Sequence, residues 1–325
     1  ANGNGGDGFD VIAQAANGSA VAGFIEGIQA NSNGASGLRV QSVQSHFASG
    51  MAMALFEDVE ANENHGPGIW AGDVYGIDAS AVAFFVGVSA SRNGGAGIQV
   101  DRVESTGADD IALAALLGVE ANANGGDGIR FSSVNSGAGQ AALVGLGINA
   151  GGNVGAGVHL QNVAANGDDS QASLQLMDVV ADDNGADGVH ASVYSYHGGA
   201  LANFMDIQAG GNSNNGIYLA RVAAYGIDAS ASASFSGIES SANSNRGIYA
   251  YVSSYNGPAS AEFTDVTANG NRADGIYLDY VEAYGDNAAA DAGFTDVEAS
   301  HNGGDGIAAW SDAYGLNGDA MMARV

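Results

Sequence analysis

The chain has 325 residues, with 36 acidic residues set against eight arginines, no lysine and no cysteine, for a net charge of −28. That balance excludes recognition of a nucleic-acid backbone, which rests on Lys and Arg contacts to phosphate. It also disfavours anionic membrane surfaces, and no apolar run approaches the roughly 20 residues that cross a bilayer. A hydrophobic fraction of 46% supplies enough apolar surface to bury, so the 52 glycines mark a fold of many tight turns rather than a disordered linker. The charge suits attraction of cations or solubility in high salt. The start at Ala1 with no visible signal peptide is expected of a processed or excised chain.

From Asn4 onward one pattern repeats, Asn-x-x-x-Gly-apolar. Its glycines are Gly8, Gly37, Gly68, Gly97, Gly128, Gly157, Gly188, Gly216, Gly247, Gly275 and Gly306. Their spacing alternates between 28 or 29 and 31 residues, so the duplicated unit is two repeats long, about 60 residues. Four residues before each glycine stands an asparagine, from Asn4 and Asn33 through to Asn271 and Asn302. The residue after each glycine is apolar, and so is the third after it in most repeats, as with Ile98 and Val100. That period of two predicts a strand with one buried face. A second alternating strand precedes the asparagine, as in Ala54-Leu55-Phe56-Glu57-Asp58-Val59. The variable stretch between the two leaves room for a third short strand, and no helical period occurs anywhere in the chain.

A unit of about 30 residues with two or three short strands fits one turn of a solenoid. Stacked turns bring equivalent residues within ~4.8 Å, the interstrand spacing. An asparagine recurring at that pitch can bond amide to amide in a ladder. Asparagine also tolerates the left-handed backbone that sharp corners need, so the ladder residue is expected to turn the corner itself.

The Asn-ladder corner, the Asn-x-x-x-Gly-Ile spacing and the alternating strands resemble the right-handed parallel β-helix repeat family, over nearly the whole chain. That family includes pectate-lyase-like enzymes, alginate epimerases, phage tailspikes and adhesin passenger domains. The resemblance implies an all-β solenoid of about 11 coils, a single domain over 1–325 with no separate caps evident. Fold alone does not choose among its activities.

Enzyme readings meet obstacles. Lyases and epimerases of polyuronates draw on Arg or Lys to neutralise substrate carboxylates. Here the eight arginines, among them Arg39, Arg102, Arg130, Arg221 and Arg246, fall in scattered repeat slots. Hydrolases on this fold use aspartate clusters. One slot, just before the Val or Ile that closes the second strand, holds Asp58, Asp178, Asp206, Asp265 and Asp296, and elsewhere glycine. Asp178 with Asp206, and Asp265 with Asp296, lie in adjacent coils. They are candidate Ca2+ ligands or an acid–base pair, weighed against a plain solvated face. Gly5-Gly6-Asp7-Gly8-Phe9-Asp10-Val11-Ile12 matches a calcium-binding nonapeptide, but Arg130 and Ala308 replace its key aspartate in other coils. His159 and His190 share a slot, with no acidic partner evident at their level. No catalytic residue is assigned, no cofactor is required, and Ca2+ is the one ion admitted.

Tyrosines concentrate toward the C-terminal third in register. Tyr218, Tyr249 and Tyr277 occupy an outward slot, and Tyr225, Tyr255, Tyr284 and Tyr314 lie near the next turn. They are read as stabilising stacks or as a stripe for a glycan or protein partner. The chain opens just after a second strand, and Val325 falls where Val266 and Val297 close one, so its ends are expected to continue the repeat in a further copy. Head-to-tail contacts do not close and build fibres. The sequence therefore points to a non-enzymatic structural subunit of an extracellular or cell-surface fibre, sheath or adhesin, with high charge keeping fibres apart laterally. The alternatives are a carbohydrate-active enzyme (polysaccharide lyase, epimerase or hydrolase) and a glycan-binding module.

Overall fold

The computed structural model describes residues 1–46, 50–168, 170–227, 229–286, 288–315 and 318–322. Strands alternate between two parallel sheets, as the repeat predicts. The first sheet stacks β1 (Phe9–Ala15), β3 (Leu38–Ser45), β5 (Ile69–Gly76), β7 (Ile98–Ser105), β9 (Ile129–Phe131) with β10 (Val134–Ser136), β12 (Val158–Ala165), β14 (Val189–Ser195), β16 (Ile217–Ala224), β18 (Ile248–Tyr255), β20 (Ile276–Tyr284) and β22 (Ile307–Tyr314). The second stacks β2 (Ala20–Gln29), β4 (Gly50–Glu60), β6 (Ala79–Val86), β8 (Ile111–Glu120), β11 (Gln140–Asn149), β13 (Ala172–Val180), β15 (Ala200–Gln208), β17 (Ala231–Glu239), β19 (Ala259–Thr267), β21 (Ala289–Glu298) and β23 (Asp319–Met322). The result is a parallel β-solenoid of about ten full turns and a partial last one. Among the described residues a third sheet does not form; turns take the place of the expected third strand.

The core is a thin layer between the sheets, continuous from Ala20 to Phe294. The second sheet lines it with a row of alanines, among them Ala52, Ala81, Ala112, Ala141 and Ala172, each in register with the next. The first sheet answers with bulkier Val43, Val74, Val103, Val134 and Val163. Small side chains on one sheet let the other's branched ones interdigitate at interior density. Phenylalanines stack along the axis, Phe24–Phe56–Phe85 in the first coils and Phe204–Phe235–Phe263–Phe294 in the last, at 4.7–5.4 Å between centroids. Between the two stacks Leu116, Gly145 and Leu176 take the slot. There the large residue comes from the opposite sheet: Phe131 is buried and meets Phe85 edge-on at 6.1 Å.

The alternating repeat length has a local cause. Register fixes five residues from Ala15 to Ala20 and from Ser136 to Ala141, but seven from Ser45 to Ala52 and from Ser105 to Ala112. Short and long turns from the first sheet to the second therefore alternate coil by coil. The two 28-residue coils lose one more residue inside β14 and β18, where register shifts appear.

Candidate functional site

The Asn-x-x-x-Gly corner is built from two coupled requirements. Each ladder asparagine donates its backbone N–H and its Nδ2 to the Oδ1 of the asparagine one coil on, as Asn93 does to Asn124 at 2.9 and 3.2 Å and Asn153 to Asn184 at 3.0 and 3.1 Å. Both bonds recur at every described step from Asn4 to Asn302. The glycine four residues on sits against this ladder. A Cβ on Gly157 would lie 2.8 Å from Asn184 Nδ2 and 2.7 Å from the Ala150 and Gly188 carbonyl oxygens. The glycine is thus a steric requirement rather than a conformational one.

The asparagine itself does not take the left-handed conformation expected of it. The residue before it does, in all eleven coils: Gly3, Ser32, Glu63, Arg92, Ala123, Gly152, Asp183, Gly211, Ala242, Gly270 and His301, with φ between 55° and 69°. The ladder asparagine needs its own N–H free to bond its neighbour's Oδ1, and the adjacent residue absorbs the turn.

The Asp row lies at the other corner and has the same explanation. Asp178, Asp206, Asp265 and Asp296 have φ of 53–55°, and the glycines that alternate with them, Gly87, Gly118, Gly147 and Gly237, have φ of 61–65°. Asp and Gly are among the residues that visit this region most readily. All four aspartates are exposed. Among the described residues no group of three or more His, Cys, Asp or Glu is placed to hold a metal ion. In the nonapeptide-like stretch, Asp7 accepts the Ser36 N–H at 2.8 Å and Asp10 accepts Gln41 Nε2 at 2.7 Å, so both carboxylates serve the next coil.

Two aromatic files run along the first sheet. The outward slot of β12, β14, β16, β18 and β20 carries His159, His190, Tyr218, Tyr249 and Tyr277, with neighbouring centroids 4.7–5.8 Å apart. Trp310 of β22 continues it 5.4 Å from Tyr277. At the following turn Tyr196, Tyr225, Tyr255, Tyr284 and Tyr314 stack at 4.9–5.6 Å with interplanar angles of 13–25°. The expected tyrosines do fall in register, the shared slot of His159 and His190 proves to be the same one, and the files add Tyr196 and Trp310, which the repeat did not mark. In the second file the rings stack face to face along the axis, which covers the faces that a sugar ring would need, whereas the first file is stacked only from Tyr218 to Tyr277.

Acidic and basic groups flank these files. The Arg246 guanidinium lies 3.9 Å over Tyr277 and pairs with Asp274 at 3.1 Å. Tyr249 donates to Asp279 Oδ2 and Tyr251 to Glu282 Oε2, each at 2.8 Å. Burial, reinforced by these carboxylates, holds both phenols above their ordinary range. Tyr284 is pushed up to about 12 by burial and then by Glu282. The histidines also gain acidic partners that their spacing did not reveal: Asp127 lies 3.2 Å from His159 Nδ1, and Asp187 lies 3.2 Å from His190 Nδ1. Burial opposes the Asp127 charge, but His159 and the Ala156 N–H outweigh it and lower its pKa. Asp127 and Asp187 precede glycines Gly128 and Gly188, a slot that varies between coils and so carried no repeat signal.

Five of the arginines are occupied by rings or acids, and the buried Arg130 Nε has no hydrogen-bond partner among the described residues. Arg39 covers Trp70, Arg102 covers Tyr75 and Arg221 covers Tyr194, each at 4.7 Å. Arg92 pairs with Glu63 at 3.1 Å and Arg102 with Asp73 at 3.1 Å. No family model, curated protein or solved structure matches the chain.

Proposed function

We propose that this solenoid is a structural rod, an element of an extracellular or surface fibre, sheath or adhesin that joins end to end with further coils of its own kind. On this reading it is akin to the adhesin-type solenoids of the parallel β-helix class rather than to the pectate-lyase-like enzymes. One observation carries the reading. The two systems that hold coil to coil along the whole rod repeat by translation along its axis: the two parallel sheets and the Asn ladder. A surface built that way is complementary to a copy of itself. Conserving side-chain roles for stacking, and engaging arginines with neighbouring acids and rings, is the economy of a scaffold.

Negative-stain electron microscopy of purified chain, with and without millimolar calcium, tests this. Fibres of uniform width support end-to-end joining, and a calcium requirement assigns the exposed Asp178, Asp206, Asp265 and Asp296 row a role in bundling. Single rods of roughly 50 Å under both conditions, the length of ten coils at the strand spacing, would sink it.

A further inference from the structure

The outward face of the second sheet changes character along the rod. On β4, β6, β8 and β11 its side chains are Met53, Leu55 and Glu57; Val82, Phe84 and Val86; Ile111, Leu113, Ala115 and Leu117; Ala142, Val144 and Leu146. Register places them in continuous rows: Met53, Val82, Leu113 and Ala142 in one, Leu55, Phe84, Ala115 and Val144 in the next. One acid, Glu57, stands among them. On β17, β19 and β21 the same face carries Ser232, Ser234, Ser236, Ser260, Glu262, Thr264, Asp291 and Thr295, with no large apolar residue. Leu117 and Leu146 are 37% and 43% exposed, and Met177 and Met205 extend the apolar row at 41% and 43%.

We propose that this face pairs two copies of the chain laterally, sheet against sheet, with the rods antiparallel. A flat apolar surface of this extent marks an interaction site. Four adjacent strands at ~4.8 Å, each contributing about six residues at ~3.3 Å, give a face of roughly 400 Å2 per copy, about half the ~800 Å2 per partner of a standard interface, and Met177 and Met205 extend it. Two sheets pack face to face at ~10 Å, and flat rows at the same pitch on both copies interdigitate. Charge selects the occupant and the orientation. A chain of net charge −28 repels its own copy least where acids are fewest, and over these four strands the apolar rows contain only Glu57, with Asp58, Glu60 and Glu120 confined to the strand ends. A two-fold axis lying in the interface, perpendicular to the rods, lays apolar coils on apolar coils. It carries Glu262 and Asp291 to opposite ends, whereas a parallel pair would bring these carboxylates against their own copies. The pairing is lateral and stands independently of the axial reading above.

Sedimentation equilibrium and the width of rods in negative stain test it together, so that end-to-end joining does not hide the result. The expected outcome is a mass twice the 32.2 kDa of one chain, or rods of double width, with association strengthening as salt rises and screens the like charges. Leu113→Glu, at the centre of the face, and Leu117→Glu, already solvent-exposed, should each return single-width monomers with an unchanged β-sheet circular dichroism spectrum. Ser234→Glu, on the polar half of the same sheet, should leave the pair intact. A wild-type monomer at every concentration and salt, or pairs indifferent to both leucine variants, would overturn the proposal. So would a monomer that binds neutral phosphatidylcholine vesicles, since the face would then belong to lipid.

Discussion

The two corners of each coil meet the same demand in different ways. Both turn through a single left-handed residue. At the ladder corner that residue is almost anything, including Glu63, Arg92, Ala123 and His301, while the asparagine and glycine beside it never vary. At the other corner the left-handed slot itself is restricted, to Asp or Gly in every coil from Asp58 to Asp296. The difference lies in what crosses between coils. At the ladder corner the side chain reaches the next coil through buried bonds, and the backbone approaches so closely that no Cβ fits. At the Asp corner the aspartates are exposed, and only the local backbone chooses. A single invariant residue type therefore follows inter-coil coupling, and a choice between Asp and Gly follows the local backbone alone.

The largest expected effect that could break this comparison is at the glycine. Gly157→Ala places a methyl against two carbonyl oxygens and Asn184 Nδ2, and should cost about 3 kcal/mol or more in urea-unfolding stability, the upper range for overpacking. A loss below about 1 kcal/mol would show that the backbone yields and that the glycine is not sterically required. Asn184→Ala removes an acceptor of two bonds from Asn153 and a donor to Asn212. It strands buried amide groups and should cost ~2–4 kcal/mol. If the ladder merely decorates the corner, the midpoint will barely move.

The tyrosine file offers a comparison on the surface. Tyr255 stacks on Tyr225 and Tyr284 at 5.0 and 4.9 Å, so Tyr255→Ala should cost ~1–3 kcal/mol beyond the exposed area lost. Loss of a glycan ligand with stability intact would instead make the file a binding stripe, and Tyr249→Ala extends the same test to the outward slot. Alkali probes the file without mutation. The folded Tyr284 pKa is raised to about 12 from an ordinary 10. Its contribution to stability is full below the unfolded value and is lost as pH climbs through the folded one, so melting temperature should fall across pH 10–12. Tyr284→Phe should flatten that slope. The smallest effect belongs to the permissive slot. Ala123 sits at φ 55° with a Cβ that left-handed backbone disfavours, so Ala123→Gly should stabilise by about 1 kcal/mol in the same urea assay. No gain, or a loss, would mean that the coil stabilises Ala123 in some way that its backbone does not show.

Much of this architecture is legible in the residues. Repeat spacing places both strands of each coil, the buried asparagines and the in-register tyrosines, because each is a translation-invariant choice that a period exposes. The location of the left-handed residue is not legible, since Glu63 and Arg92 carry no turn signature and the constraint acts through a neighbour. The acidic partners of His159 and His190 escape notice for a related reason. Asp127 reaches into the following coil, 32 residues away, while Asp187 lies three residues before its histidine in the same coil. The alternation of 29 and 31 reads as a duplication, but only strand register places it in the turns. Val325, which the sequence places at the close of a strand, lies outside the described residues.

The ladder has a consequence for growth. Every Asn-to-Asn bond of the ladder runs the same way, from an amide of the earlier coil to the Oδ1 of the later one. With about 3.5 D per amide, as for a peptide unit, eleven aligned groups form a vector of up to roughly 40 D buried along one edge of the rod. The rod is thus vectorial at its core, with one end that donates and one that accepts. A growing array of such rods would have distinguishable ends, as an actin-like polymer does, and an electric field would orient its pieces as well as move them.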